Sequence, residues 1–300
     1  MRILITGANG RLGGALLRSL CCTEHDPIGV SHAALDITHD ECVRDMVQAV
    51  RPDAIINCAG YNAVDRAESD ITTAYAVNAG GPAHLARAAS AAGALLIHYS
   101  SDFVFDGRAA TPYEEDAPVA PLNVYGASKL AGESEARSTP QHYILRVESL
   151  FGGHPVSAQA TVDYIADSLV SGRRVRAFVD RTVTPSYAPD VVTATRRLLE
   201  LQPAYGTYHC VNSGATTWYA LALEIARQLG LDVPIEAGTV DQAKAAAARP
   251  RYCALSNRKL HAAGIPMPDW RHAVQRHLAD RWIACDQPRV PVAHASRFTA

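Results

Sequence analysis

Long apolar runs are missing from this sequence of 300 residues. No window reaches the roughly 18 to 20 uninterrupted apolar residues of a membrane span, and the N-terminus is a short apolar run rather than a charged segment leading to a signal core. A cytoplasmic protein is expected. An excess of one charge is missing too. Lys and Arg number 28 against 30 Asp and Glu, the formal charge is -2, and no basic stripe appears, which argues against a nucleic-acid surface and for a buried pocket. The seven cysteines are scattered and never in Cys-x-x-Cys spacing, so reduced thiols are expected, with no disulfide and no zinc. None of the twelve histidines stands in His-Glu-x-x-His spacing, so no catalytic metal is expected. There is no internal repeat or low-complexity linker, and the length suits one large domain or one with a smaller lobe.

What is present begins at the N-terminus. Met1 to Thr6 is an apolar run that meets glycine at once and continues as G-A-N-G-R-L-G-G-A-L-L-R-S-L, the pattern of strand, tight turn and helix. Gly7, Gly10 and Gly13 stand in G-x-x-G-x-x-G spacing, where glycine permits the turn and a close approach of backbone to a pyrophosphate. The helix N-terminus beyond supplies free N–H groups and the positive end of its dipole. The next strand, Pro27 to Val30, ends in Ser31 and His32 instead of the acidic residue that would hold a ribose 2′-hydroxyl. That end leaves room for a 2′-phosphate, with Arg11 as its partner, and favours NADPH; His32 fits a surface role equally well. Asp36 and Thr38 are placed to cap a helix from Asp40 to Val50, and Asp36 alternatively reaches an adenine edge.

A third apolar strand, Asp53 to Asn57, runs into Cys58-Ala59-Gly60-Tyr61-Asn62, whose small residues let a cofactor lie against the backbone. Ala74 to Ala92 reads as one helix, with Asn78 either bracing a loop or solvated. Leu95 to Tyr99 is a fourth strand, delivering Ser100, Ser101 and Asp102, and Tyr143 to Val147 is a fifth. Strands and helices alternating at this pace predict a Rossmann-type α/β fold, a doubly wound parallel sheet.

Between the last two strands lies P-L-N-V-Y-G-A-S-K-L-A-G-E. In a helix Tyr125 and Lys129 leave the same face one turn apart. A phenol is a poor acid or base at neutral pH, and a nearby ammonium lowers its pKa into a usable range. Ser101 adds a hydroxyl to polarise the same oxygen. Such a trio implies redox chemistry at a C–O centre; the alternative is a tyrosine packed on the sheet and a solvated lysine. After Gly152 the pattern loosens into helices over Val162 to Val170, Val191 to Leu199, Trp218 to Leu229 and Trp270 to Ile283, with a strand at Tyr208 to Val211. Arg181, Arg249 and Arg251 stand in intervening loops, where a guanidinium can bind phosphate. The expected division is a dinucleotide domain over 1–150 to which later segments return, a mainly substrate-binding lobe over 151–284, and a mobile tail over 285–300.

The motifs G-A-N-G-R-L-G, N-C-A-G-Y-N-A-V-D-R-A-E-S-D, H-Y-S-S-D-F-V-F-D-G, P-L-N-V-Y-G-A-S-K-L-A-G-E and A-R-P-R-Y-C-A-L recur in order over nearly the whole chain. In them the sequence resembles the dTDP-4-dehydrorhamnose reductase family of extended short-chain dehydrogenases/reductases. The resemblance implies an NAD(P)H domain and a C-terminal lobe for a nucleotide sugar. It implies hydride transfer from the nicotinamide to C4 of a 4-keto-6-deoxysugar nucleotide, with Tyr125 the proton donor to the C4 oxygen and Lys129 the group that tunes it and grips the nicotinamide ribose. It makes Ser101 the stand-in for the family's usual threonine. It further implies cofactor contacts from Gly10, Arg11 and Leu12, from Asp36 and Ile37, from Gly60, Tyr61 and Asn62, and from Tyr99, and it groups Asp102 and Arg249 with Ser101 as sugar contacts.

Two places depart from the family. Arg146-Val147-Glu148-Ser149-Leu150 replaces the usual Arg-Thr-Ser-Trp, so the tryptophan wall of the sugar pocket is missing; and Ala15 stands where some members carry a glutamate for a metal-bridged dimer, so a homodimer here has no bridging metal. Competing readings are a cofactor-binding regulatory subunit, like the beta subunit of methionine adenosyltransferase, and an epimerase or dehydratase of the same superfamily.

Overall fold

The structure is a computed structural model that describes residues 1–153, 160–243 and 245–283. The N-terminal apolar run forms strand β1 (Arg2–Thr6), in which Ile3, Leu4 and Ile5 are all fully buried. Burial of successive residues, which point to opposite faces, requires helices on both sides of the sheet. β1 pairs with β2 (Asp26–Val30) on one side and with β3 (Ala54–Asn57) on the other. Then follow β4 (Leu95–Ser101), β5 (His142–Val147) and an edge strand, Gly206–His209, every pairing parallel. Because the chain leaves β1 for β2 and then returns to β3 on the far side, a crevice opens beyond the carboxyl ends of β1 and β3, the place where such sheets bind ligands.

The two faces follow from strand alternation. Ile3, Ile5, Ile56, Ile97 and Leu145 pack against helix α1 (Arg11–Leu20) and helix Ala188–Leu201. Leu4, Ile55, Leu96 and Ile144 pack instead against helix α2 (Asp40–Val50) and helices Gly81–Ala92 and Val124–Ala136. A second core holds Phe151, Ile165, Leu169, Trp218, Leu221, Trp270 and Val274, from helices Thr161–Val170, Trp218–Gln228 and Trp270–Ile283. Arg11 ties the glycine turn to this second body, donating to the Gly152 carbonyl at 2.7 Å and lying 3.8 Å from Asp163.

Three local expectations change. The helix expected over Ala74 to Ala92 is interrupted by a π-turn at Ala76–Gly80, where Asn78 turns its amide inward. Helix α2 has no side-chain cap; Asp36 instead accepts from the Thr38 N–H at 2.9 Å and its hydroxyl at 2.8 Å, closing the turn ahead of it. The last sheet strand spans Gly206–His209, earlier than expected, because its register is set by Tyr143 to Arg146 of β5. No described helix is long and apolar enough to cross a membrane. The tail expected to be mobile lies outside the described residues.

Candidate active site

The site begins where β1 ends. Gly7 has φ of +65°, and a Cβ on it would lie 2.7 Å from the Ala59 nitrogen; a Cβ on Gly13 would lie 2.4 Å from the Gly7 carbonyl oxygen. Only glycines let α1 start this close to the strand-end loop after β3. Beneath the turn runs a buried polar chain. Thr6 donates to Asn57 Oδ1 at 2.7 Å, the Ala59 N–H donates to the same oxygen at 3.1 Å, and Asn57 Nδ2 donates to His98 Nδ1 at 3.1 Å. Burial, with the Lys129 charge nearby, depresses the His98 pKa well below the ordinary histidine value, so the ring is neutral and able to accept.

The next loop is held by Asn78. Its Oδ1 accepts from the Tyr61 N–H at 2.8 Å, and its Nδ2 donates to the Tyr61 carbonyl and the Ser128 hydroxyl, each at 3.0 Å. Asn78 is therefore the brace that fixes Gly60-Tyr61-Asn62 against the tyrosine helix.

Two adjoining cavities lie over these loops. One, of about 360 Å³, is lined by Gly7, His32, Asp36, Ile37 and Tyr61 among others. The second, of about 420 Å³, is lined by Arg11, Leu12, Ser101, Tyr125, Lys129, Ser149 and Leu150. Asn9, Gly10, Cys58, Ala59, Gly60 and Asn62 belong to both. A trough over a glycine turn, with the N-terminus of α1 at its middle and a reactive trio at one end, suits a dinucleotide.

Asn123 caps the helix Val124–Ala136 by accepting from the Gly126 N–H at 2.7 Å, which aims Tyr125 and Lys129 at β4. Lys129 donates to the Tyr99 carbonyl at 2.5 Å, and the Tyr125 hydroxyl lies 3.5 Å from Asn62 Oδ1. Burial pulls the Lys129 pKa down to about 8, against the opposing pull of Glu133. Burial pushes the Tyr125 phenol above its ordinary value, the Asp102 charge adds to the push, and a hydrogen bond with Ser101 opposes it. The expected lowering of the phenol by Lys129 is thus not seen: burial wins, and the ammonium is spent on the Tyr99 carbonyl. A phenol held protonated is an acid, the state required to give a proton to a carbonyl being reduced.

Other expected residues fall elsewhere. Arg11 lines the cavity that holds Ser101, Tyr125 and Lys129 and not the one bearing His32. The Tyr99 ring turns into the core, its hydroxyl bonded to Thr195 at 2.5 Å, and it meets the site through its carbonyl. Asp102 is buried behind Ser101, whose hydroxyl lies 2.8 Å from Asp102 Oδ1. Arg249 is held by Asp65 at 2.8 Å, and Arg251 by Asp241 at 2.7 Å. Arg181 is turned inward toward Phe103, its ring 5.5 Å away, and toward the Cys253 sulfur at 3.8 Å. Arg249 and Arg251 are thus paired with carboxylates, a guanidinium's favoured partners.

Sequence reasoning missed the Thr6-Asn57-His98 chain, and it read Ser149 and Leu150 as a departure from the family without assigning them to the cavity wall. Ser149, in the place of the family tryptophan, has φ of +46° and lines the catalytic cavity with Leu150. Glu148 beside it is also buried, as part of a group in which donor atoms of Asp102, Glu148 and Cys253 lie within 4.8 Å of one another. The cation that faces this group is Arg181. The signal for Glu148 was present: a lone acid directly after a buried strand.

Comparison with known proteins agrees with this geometry. Residues 1–282 match the family described as RmlD substrate binding domain. A dTDP-4-dehydrorhamnose reductase of Streptomyces griseus is 38% identical over 283 residues, covering 91% of each chain. A probable dTDP-4,6-dihydroxy-2-methyloxan-3-one 4-ketoreductase of Streptomyces antibioticus is 35% identical, over 96% of this chain and 98% of its own. The crystal structure of dTDP-4-dehydrorhamnose reductase from Bacillus anthracis, in complex with NADP, superposes with a TM-score of 0.88 at 33% identity, over 93% of this chain and 99% of that one. Likeness over nearly the full length of each relative, together with the trio around one cavity, places this chain in the RmlD substrate binding domain family, the family of the dTDP-4-dehydrorhamnose reductases.

Proposed function

We propose that the protein is an NADPH-dependent reductase of a nucleotide-linked 4-keto-6-deoxysugar, with NADH as the alternative donor. The observation that carries the reading is that Ser101, Tyr125 and Lys129 line one cavity that continues into the trough over the glycine turn. NADPH, when bound there, supplies the hydride. Gly7, Gly10, Leu12 and Gly13 form the cradle for its pyrophosphate, with Arg11 above them. Asp36 and Ile37 would hold the adenosine, Gly60 to Asn62 would form the floor, and the neutral end at His32 would admit a 2′-phosphate. Tyr125 gives its proton to the C4 oxygen. Ser101 hydrogen-bonds that oxygen, and Lys129 adds positive charge beside it.

The body carrying the second core is the substrate lobe. Ser149 in place of tryptophan widens the wall that the sugar meets, which supports a sugar other than the family's usual one. Six cysteines among the described residues are free thiols, in keeping with a cytoplasmic enzyme. Incubation with NADPH and dTDP-4-dehydrorhamnose, followed by cofactor absorbance, tests the proposal. Stoichiometric loss of the reduced form, abolished in Tyr125→Phe, supports it. An epimerase or dehydratase returns its cofactor and leaves absorbance unchanged, and a regulatory subunit turns over nothing.

A further inference from the structure

β4 and β5 run side by side with Ser101 opposite Val147, so the next residues in each chain, Asp102 and Glu148, fall opposite each other. Both are buried, and one oxygen of each, Asp102 Oδ2 and Glu148 Oε1, has no hydrogen-bond partner among the described residues. Two like charges in this position repel strongly in a dry interior. Around them stand Arg181, the single cation there among the described residues, and three neutral groups: the Cys253 thiol and the Tyr125 and Tyr252 phenols. One guanidinium balances one carboxylate. The second carboxyl is left to keep its proton, and burial pushes both acids above the ordinary range.

The donors around the pair differ. Glu148 Oε2 receives the Thr184 N–H at 2.6 Å and the Thr184 hydroxyl at 2.5 Å, an arrangement that stabilises an anion. Asp102 Oδ1 meets the Ser101 hydroxyl at 2.8 Å, an oxygen pair in which either side can donate. We propose that Asp102 and Glu148 share one proton, and that its residence on Asp102 turns the Ser101 hydroxyl toward the substrate.

The consequence is geometric. When Asp102 carries the proton it donates to Ser101 Oγ, which also accepts from the Phe103 N–H at 3.3 Å, so the serine's own proton is turned away from Asp102 toward Tyr125 and the cavity, where a carbonyl oxygen can take it. When Asp102 is ionised, Ser101 must donate to it, and a carbonyl in the cavity meets a lone pair instead. Glu148 is thus a positioning residue: its charge keeps the proton on Asp102. The catalytic consequence rests on the proposed reductase activity, whereas the shared proton does not.

Glu148→Gln separates the two. The amide oxygen still accepts from Thr184, and loss of the neighbouring charge lets Asp102 ionise at lower pH. Difference infrared spectroscopy across a pH titration should show a carboxylic-acid C=O band persisting at neutral pH in the wild-type protein and absent from Glu148→Gln. With NADPH and dTDP-4-dehydrorhamnose, kcat of Glu148→Gln should fall about tenfold at neutral pH, its alkaline limb moving down by about two units while KM for NADPH holds. Adding Asp102→Asn, whose amide donates permanently to Ser101, should restore kcat. A wild-type protein without the acid band, an unshifted limb in a Glu148→Gln protein of unchanged circular dichroism, or a double variant as slow as Glu148→Gln would each overturn the proposal. If the wild-type protein oxidises no NADPH, the substrate reading fails and the infrared band alone decides the shared proton.

Discussion

Tyr125 and Lys129 divide the chemistry according to how burial acts on each. The phenol is kept protonated, so the residue is ready to donate; the ammonium is kept near its titration point, with a pKa of about 8. Two predictions follow at this scale. Tyr125→Phe keeps the ring that packs edge-on against Phe103 and removes the acid, so kcat should fall about 10²- to 10⁴-fold with NADPH binding retained, as read by cofactor fluorescence titration. For Lys129 the active form is the cation, which is lost as pH rises through its lowered value. The pH profile of kcat/KM should therefore decline above about 8 in the wild-type protein, and more steeply than in Lys129→Met, where only the ionisation of Asp102 remains. The pairing of Tyr125 with Lys129 was legible because helical periodicity alone puts residues four apart on one face. The inversion of the phenol's expected shift was not, because it depends on how deeply the helix presses the ring against β4.

At the scale of elements, the tyrosine helix is anchored at its far end by Glu133, which is fully buried. Its two oxygens accept from Arg146 Nε and Nη2, both at 2.8 Å, and Arg137 adds a third bond at 2.8 Å. Burial opposes the charge, but the arginines outweigh it and hold the carboxyl below the ordinary glutamate range. Removing one partner strands the other in a dry interior, so Arg146→Met should lower stability by about 3 to 5 kcal/mol in urea titration. Glu133 is depressed in the fold, so its contribution is present above its unfolded pKa and lost as pH falls through the folded one. The loss of stability on acidification should accordingly be shallower in Glu133→Gln.

Asn78 is the second anchor. Asn78→Leu leaves the Tyr61 N–H and carbonyl without their partner, while the Ser128 hydroxyl keeps its bond to the Tyr125 carbonyl, and should cost about 1 to 3 kcal/mol, with a raised KM for NADPH as the Tyr61 loop loosens. The sequence placed Asn78 in a helix but left its role open, since the π-turn that swings its amide inward is a product of packing between two helices.

The whole molecule is a sheet that opens at β1 and β3, a glycine turn seated in the opening, and a second body tied to that turn by Arg11. The parallel sheet and the glycine turn after β1 were readable because apolar runs, glycine spacing and alternation of elements are local signals. Arg11, Arg181, Arg249 and Arg251 were not, since each is claimed by an acid or a carbonyl far away in the chain. The same holds for Asp102 and Glu148, whose meeting is a matter of register between β4 and β5.

The most direct test of the account follows the hydride itself. NADPH carrying deuterium on the transferable face of its nicotinamide is incubated with dTDP-4-dehydrorhamnose, and the product is examined by NMR. The account predicts one deuterium at C4 of the sugar for each NADPH consumed, and none in Tyr125→Phe. A product free of deuterium, or deuterium that remains entirely with the cofactor, would contradict it.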